Sequence, residues 1–228
     1  MTGPSPDVLA GRLSPEAQQR LAEIIAAVTA DPAAVQRLFP AAAREVARGP
    51  LDDNDPSGIG GPTLDDAVRG AILAALVSAE PDAAALRREV DDLYRFGDGD
   101  EKRAILRSLA DLGLGADAAH LVEDALRTND VRLVGAAMGA WAGEHLDDAT
   151  WRQGVLKCMF VGVPLSAVHR LTERADAELA RMVAAFGHER LAAGRDIAPD
   201  AHRVLDLFPH VLEQFPDVAA AMRTVPEP

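Results

Sequence analysis

The stretch TLDDAVRGAILAALV, residues 63–77, decides the fold class. Thr63 followed three residues later by Asp66 has the form of a capping box, with Asp in place of Glu. The hydroxyl accepts a free amide hydrogen and the carboxylate reaches back to the cap. A helix from Thr63 to about Val77 is predicted, and the chain downstream repeats the plan. Pro81 starts a helix with Leu86, Val90, Leu93 and Tyr94 on one face and a stop at Gly97. Further helices are predicted from Gly99 to Leu112, from Ala116 to Arg127, from Asp130 to about Gly143 and from Asp147 to about Val161. Short turns join them, and each carries one broad apolar stripe to bury against its neighbours. No stretch alternates with period two, so no strand is predicted. The expected class is all-α, a short α-solenoid of stacked helical hairpins of the HEAT or armadillo kind, with an irregular helical bundle as the alternative.

Outward from this block, the first dozen residues are rich in Gly and Pro and read as frayed. Ser14-Pro15 opens a helix to about Ala30, Asp31-Pro32 a short one ending near Phe39, and Pro40 another to about Arg48. Residues 49–62, GPLDDNDPSGIGGP, have no periodic apolar face and read as a flexible loop or a lid. Its glycines form no phosphate loop, because no GK[ST] follows and no strand precedes. Beyond Val161, a short element spans about Pro164 to Arg170 and a long helix about Thr172 to Ala193. The rest is short helices broken by Pro209 and Pro216. The domain reading is N-terminal helices over 1–48, the loop over 49–62 and a helical-repeat-like part over 63–228, one continuous domain across 13–224.

Composition bounds the function. Of 228 residues, 48% are hydrophobic but only 4% aromatic, so Ala, Leu and Val fill the core, which suits closely packed helices. The charge balance, 23 basic against 36 acidic, gives 23 − 36 = −13. Such a chain repels phosphate backbones and anionic membranes, and it has no local basic patch, so nucleic acid and membrane insertion are excluded as partners. A lone cysteine, Cys158, forbids an internal disulfide and a cysteine-based zinc cluster, and by helical periodicity it faces the core as an inert thiol. The N-terminus lacks the pattern of a signal peptide. A soluble, cytoplasmic protein without cofactor or metal is expected, of unknown oligomeric state.

Chemistry gathers in the C-terminal half. At Arg127-Thr128-Asn129-Asp130, Asn129 suits a left-handed helix end and Asp130 a cap, while the Arg127 guanidinium fork can hold a carboxylate or phosphate. On the helix from Asp147, Trp151, Val155, Cys158 and Met159 trace the buried stripe, with Gln153 and Lys157 one turn apart beside it. Lys157 either snorkels to water or sits half-buried as a binding or Schiff-base lysine. His188 lies off the apolar stripe of its helix, beside Glu189 and Arg190. It has no H-x-x-x-H partner for a metal, and as a general base it lacks an orienting carboxylate nearby in sequence.

The segments EDALRTND (123–130), LDDATWRQGVLKCMFVGVPL (146–165) and LTERADAELARMVAAFGHERLAAGR (171–195) together resemble the EboA-domain family, and LYRFGDGDEKRAILRSLADL (93–112) does so more weakly. The resemblance implies an all-helical protein of a bacterial secondary-metabolite operon, whose neighbours include a TatD-type hydrolase, a sugar-phosphate-isomerase-like barrel, a UbiA-type prenyltransferase and a dehydroquinate-synthase-like cyclase. Its members are associated with making or moving a small metabolite. It carries over Arg127, Thr128, Asn129, Trp151, Lys157, His188, Glu189 and Arg190. The family pattern commonly has Asn where this chain has Arg152 and Asp176, and Tyr where it has Phe186, so no role here can rest on that tyrosine hydroxyl.

Three functions follow as expectations. One is an accessory protein that binds a small anionic metabolite, such as a sugar phosphate or prenyl diphosphate, or a pathway enzyme. Its groove would be lined by Arg127, Asn129, Gln153, Lys157, His188, Glu189 and Arg190. The second is an isomerase or lyase using Lys157 or His188 as its catalytic base. The third is a protein–protein scaffold without a small-molecule site.

Overall fold

Aspartates and two hydroxyl residues set where seven of the helices begin. Thr63 Oγ1 accepts the Asp66 N–H at 3.3 Å while Asp66 Oδ2 accepts the Thr63 N–H at 3.0 Å, so the capping box of residues 63–66 is formed reciprocally. The computed structural model describes residues 6–223; it is 75% helical and has no strand among those residues. The chain is all-α, as expected.

From the N-terminal side, α1 (Pro6–Arg12) and α2 (Pro15–Ala30, capped by Ser14) precede α3 (Val35–Glu45). The start expected to fray is thus helical from Pro6, and residues 1–5 lie outside the described part. α3 corrects the two short helices expected on either side of Pro40, because it runs straight through that residue. Val35, Leu38, Phe39 and Ala42 are buried at helical spacing across the proline, whose ring stays exposed. Burial of this continuous stripe offsets the missing backbone donor.

Next come α4 (Leu64–Ala79), α5 (Ala83–Phe96, capped by Asp82) and α6 (Gly99–Ser108), which opens on a second capping box between Asp98 and Glu101. α6 ends before Leu112 in a tightened 3₁₀ turn, and α7 (Ala119–Arg127) begins after another. The single helix expected from Asp130 to Gly143 is two, α8 (Val131–Ala137) and α9 (Ala140–His145). The chain opens at Met138-Gly139, and the Met138 carbonyl accepts the His169 N–H at 3.0 Å. α10 (Asp148–Val161) runs as expected from its Asp147 cap to Gly162, whose φ of 89° is left-handed.

The long helix expected from Thr172 is also split, into α11 (Leu171–Arg174) and α12 (Ala177–Ala192), because Asp176 is extended and caps α12 through the Leu179 N–H at 2.8 Å. Two further short helices, α13 (His202–Leu205) and α14 (Pro216–Met222), close the described chain. Arg174 ties the breaks together. Its guanidinium donates to the carbonyls of Ala142, Gly143 and Leu146 at the end of α9 and stacks on the Trp151 ring at 4.8 Å.

Among the helix contacts, α4 packs on α1, α2, α3 and α6, α5 on α3 and α6, α6 on α8, α8 on α7 and α10, α10 on α12, and α12 on α13 and α14. Buried apolar side chains from Leu9 to Val218 form one cluster. Within it lies a feature that sequence periodicity did not reveal. Asp65, Asp66, Arg69 and Arg103 are all at most 3% exposed. Arg103 donates from Nε to Asp66 at 2.8 Å, from Nη1 to Asp100 at 3.0 Å and from Nη2 to Thr63 at 2.9 Å, while Arg69 reaches Asp65 at 3.1 Å. Every charge finds an opposite partner, the condition for burying it at all.

The segment 49–62, expected to be a flexible loop, has no regular structure but is braced by hydrogen bonds of its own and from α6. The Asp55 carboxylate accepts the N–H groups of Ile59, Gly60 and Gly61. Arg107 donates to the carbonyls of Gly58 and Ile59, each at 2.9 Å.

Candidate functional site

α7, α10 and α12 together enclose a cleft of about 500 Å³. α7 contributes Glu123, Leu126 and Arg127. α10 contributes Thr150, Gln153, Gly154, Leu156, Lys157 and Phe160, and α12 contributes Phe186. On α10 these positions form the stripe beside the buried one, because residues three, four and seven apart share a helix face.

Local structure fixes the charged groups. α7 ends at Arg127 because Thr128 is extended, with its hydroxyl donating to Ala125 O at 2.8 Å, and Asp130 then caps α8. Asn129 does not adopt the left-handed conformation expected of it; Arg170 is the only non-glycine residue with positive φ among those described. Held in this turn, Asn129 Oδ1 accepts a hydrogen bond from Lys157 Nζ at 2.7 Å. Lys157 is half-buried, its ammonium 5.7 Å from the centre of the Phe160 ring, and it makes no ion pair among the described residues. The bond to Asn129 lies at the surface, so the ammonium stays open to water and to an incoming ligand.

Arg127 is differently placed. Its guanidinium is 3.6 Å from Asp124, whose other oxygen accepts from Tyr94 Oη at 3.3 Å. Tyr94 also donates to Leu121 O at 3.2 Å, and burial first, then Asp124, raises its pKa. Tyr94, buried on α5, thus shares its hydroxyl hydrogen between Leu121 O and the aspartate beside which Arg127 stands. Thr150 is committed elsewhere: its N–H and hydroxyl both donate to the Asp147 carboxylate, at 2.9 and 2.6 Å.

Of the residues singled out in the sequence, Arg127, Gln153 and Lys157 line the cleft, and Asn129 joins them through its bond to Lys157. His188, Glu189 and Arg190 are not in its lining. His188 pairs through Nδ1 with Asp217 on α14 at 2.7 Å, a carboxylate 29 residues away that sequence spacing could not reveal; the hydrogen bond holds the Asp217 pKa below its ordinary range. Glu189 is exposed. Arg190 donates to Asp196 O at 2.6 Å and lies over Phe186, so it touches the back of a residue that lines the cleft. Sequence reasoning had not placed Leu126, Leu156 or Phe160 at a site, although their spacing from Arg127, Gln153 and Lys157 carries that signal.

Cys158, one residue from Lys157, is fully buried, and burial pushes its thiol up to about 12, so it offers no nucleophile. No cluster of His, Cys, Asp and Glu suited to a metal ion occurs among the described residues. None of their helices is long and apolar enough to cross a membrane. At the edge of α10, Arg152 donates to Asp176 with Nε at 3.0 and 3.1 Å and with Nη2, so that together they clamp α10 to the start of α12.

Comparison with known proteins adds the family. No curated protein and no solved structure matches the chain. The family model described as metabolite traffic protein EboA matches residues 60–206, which is more than half of the chain and contains α4 to α12 with the whole cleft. The chain belongs to the EboA family of metabolite traffic proteins.

Proposed function

We propose that this protein is an accessory component of a metabolite pathway that holds a small anionic metabolite in the cleft between α7, α10 and α12. The observation that carries the reading is Lys157. Its ammonium faces the cleft beside Arg127 and is held by the neutral Asn129 amide at 2.7 Å, with no carboxylate as partner. In a molecule of net charge −13 this is a local reversal of sign that favours an anion. The same reading takes the row α4–α6–α8–α10–α12 as a short stack of helical pairs, with the cleft formed along its C-terminal half. Binding is favoured over catalysis because Lys157 and His188, the two side chains suited to act as bases, do not share the cleft, and the neighbouring thiol is protonated.

Thermal unfolding with a panel of small carboxylates and phosphates tests this, since a ligand that binds only the folded state raises the midpoint. The wild type is expected to be stabilised by at least one anion, and the Arg127→Gln, Lys157→Met double variant by none. If no anion shifts the wild type, or if the shift survives in the double variant, the cleft is not the binding site.

A further inference from the structure

Resting on that reading, we infer that the cleft selects a monoanion with a carboxylate head and a flat apolar body, rather than a sugar phosphate or a diphosphate. Three observations point there. The first is charge: the ionisable groups of the lining are Arg127, Lys157 and Glu123, a formal sum of 2 − 1 = +1, and Arg127 already shares its charge with Asp124. With Asp124 beside Arg127 and Asp147 on Thr150, Lys157 is the cation of the lining that has no carboxylate partner among the described residues, which matches one negative charge and leaves a dianion or trianion under-compensated.

The second is the helix terminus. Phosphate sites draw on free backbone N–H groups at a helix start. The start of α10 borders the cleft at Thr150, but the Asp147 carboxylate already takes both the Thr150 N–H and its hydroxyl. An internal anion occupies the position that a phosphate would need. α7, for its part, meets the cleft with its C-terminal end, at Arg127, where the helix dipole repels negative charge.

The third is the apolar wall. Leu126, Leu156, Phe160 and Phe186 take up most of the remaining lining, and Phe160 is 67% exposed in a chain with few large exposed hydrophobic side chains. Both rings already carry a cation, Lys157 over Phe160 at 5.7 Å and Arg190 over Phe186 at 5.8 Å. A flat apolar body laid along these side chains buries exposed hydrocarbon, and its carboxylate then reaches Lys157 in the orientation that the Asn129 bond sets. Gln153, exposed on the same stripe, is placed to meet a polar substituent.

Calorimetric titration of the full chain with four probes tests the inference: 2-naphthoate, 2-naphthyl phosphate, 2-naphthol and glucose 6-phosphate. 2-Naphthoate is expected to bind about tenfold more tightly than each of the others, the worth of one charge-assisted contact. Lys157→Met and Phe160→Ala are each expected to weaken it by about the same factor, and Lys157→Arg to retain most of the affinity. Circular dichroism confirms that each variant is folded. Tighter, Lys157-dependent binding of either phosphate overturns the carboxylate assignment but leaves the anion-binding cleft standing. Equal binding of 2-naphthol, or naphthoate binding indifferent to Lys157→Met, shows that the cleft does not read charge and overturns both. So does the absence of binding by every probe.

Discussion

Gly135 on α8 shows how much of this fold turns on single atoms. A Cβ built there would lie 2.6 Å from the Ile59 carbonyl oxygen, because the loop over residues 49–62 crosses α8 at that point. The clash is with backbone, which Arg107 and Asp55 hold in place, so it cannot be relieved by rotating a side chain. Gly135→Ala is therefore expected to destabilise the protein by about 1–3 kcal/mol in urea unfolding, as overpacking does. Gly11→Ala serves as the comparison: nothing lies within 4 Å of its Cβ, and in helix α1 alanine is the better helix former by about 0.5–1 kcal/mol. Equal stability of the two variants would mean that the loop yields freely and does not brace α8. Neither outcome was legible in the sequence, where residues 49–62 read only as a stretch without a face, because the groups that hold the loop come from α6 and from its own Asp55.

At the scale of elements, most starts of helices were legible and several of their ends were not. A cap is a local event: Ser14, Thr63, Asp130 and Asp147 each bond an amide within three residues, so spacing identifies them; Asp82 and Asp98 do the same, one residue from the starts expected at Pro81 and Gly99. The break at Gly139 is tertiary: it depends on the His169 N–H, which spacing cannot supply. The break at Asp176 is a local cap through the Leu179 N–H, masked in the sequence because the apolar run continues on either side of it. The same division applies to the site, where the α10 stripe from Thr150 to Phe160 follows from periodicity while the Lys157–Asn129 bond needs α7 and α10 to be packed first. It applies most strongly to the buried charges: Arg69 and Arg103 share the stripes of Ile72, Leu73 and Leu76 and of Leu106, but as arginines they read as solvent-facing until their carboxylate partners are in place. Asp66 joins both levels, capping α4 and neutralising Arg103 on α6. Asp66→Asn keeps much of the cap but removes the charge opposite a 2% exposed guanidinium, and is expected to cost roughly 3–5 kcal/mol. Loss of less than about 1 kcal/mol in chemical denaturation would show that water or a neighbouring carboxylate replaces it.

For the whole molecule, the acidic surplus is partly structural, because aspartates cap five of the helices and others face the arginines of the core. Among these acids, two adjacent ones respond to falling pH with opposite sign. At Asp100 burial disfavours ionisation, but Arg48, Arg103 and Arg132 outweigh it and hold the pKa below the ordinary aspartate value of about 3.9. A carboxyl whose pKa is lower folded than unfolded adds stability at neutral pH and loses it as pH falls below about 4. At Glu101 burial dominates, Asp98 adds to it, and the pKa is raised. The folded state then binds that proton more readily than the unfolded chain, so this residue lowers stability at neutral pH and ceases to do so as pH falls through its raised pKa. Asp100→Asn is thus expected to lower the unfolding midpoint at pH 7 and to flatten its decline below pH 4. Glu101→Gln, which retains a side-chain acceptor for the Asp98 N–H, is expected to be neutral to stabilising at pH 7 and to lose that advantage by about pH 4. Midpoints measured from pH 7 to pH 3 for the wild type and both variants distinguish the two slopes. If both variants lose stability at pH 7 with the same dependence, the Asp98–Glu101 cap outweighs the burial of Glu101, and the buried network acts as a single acid-sensitive unit.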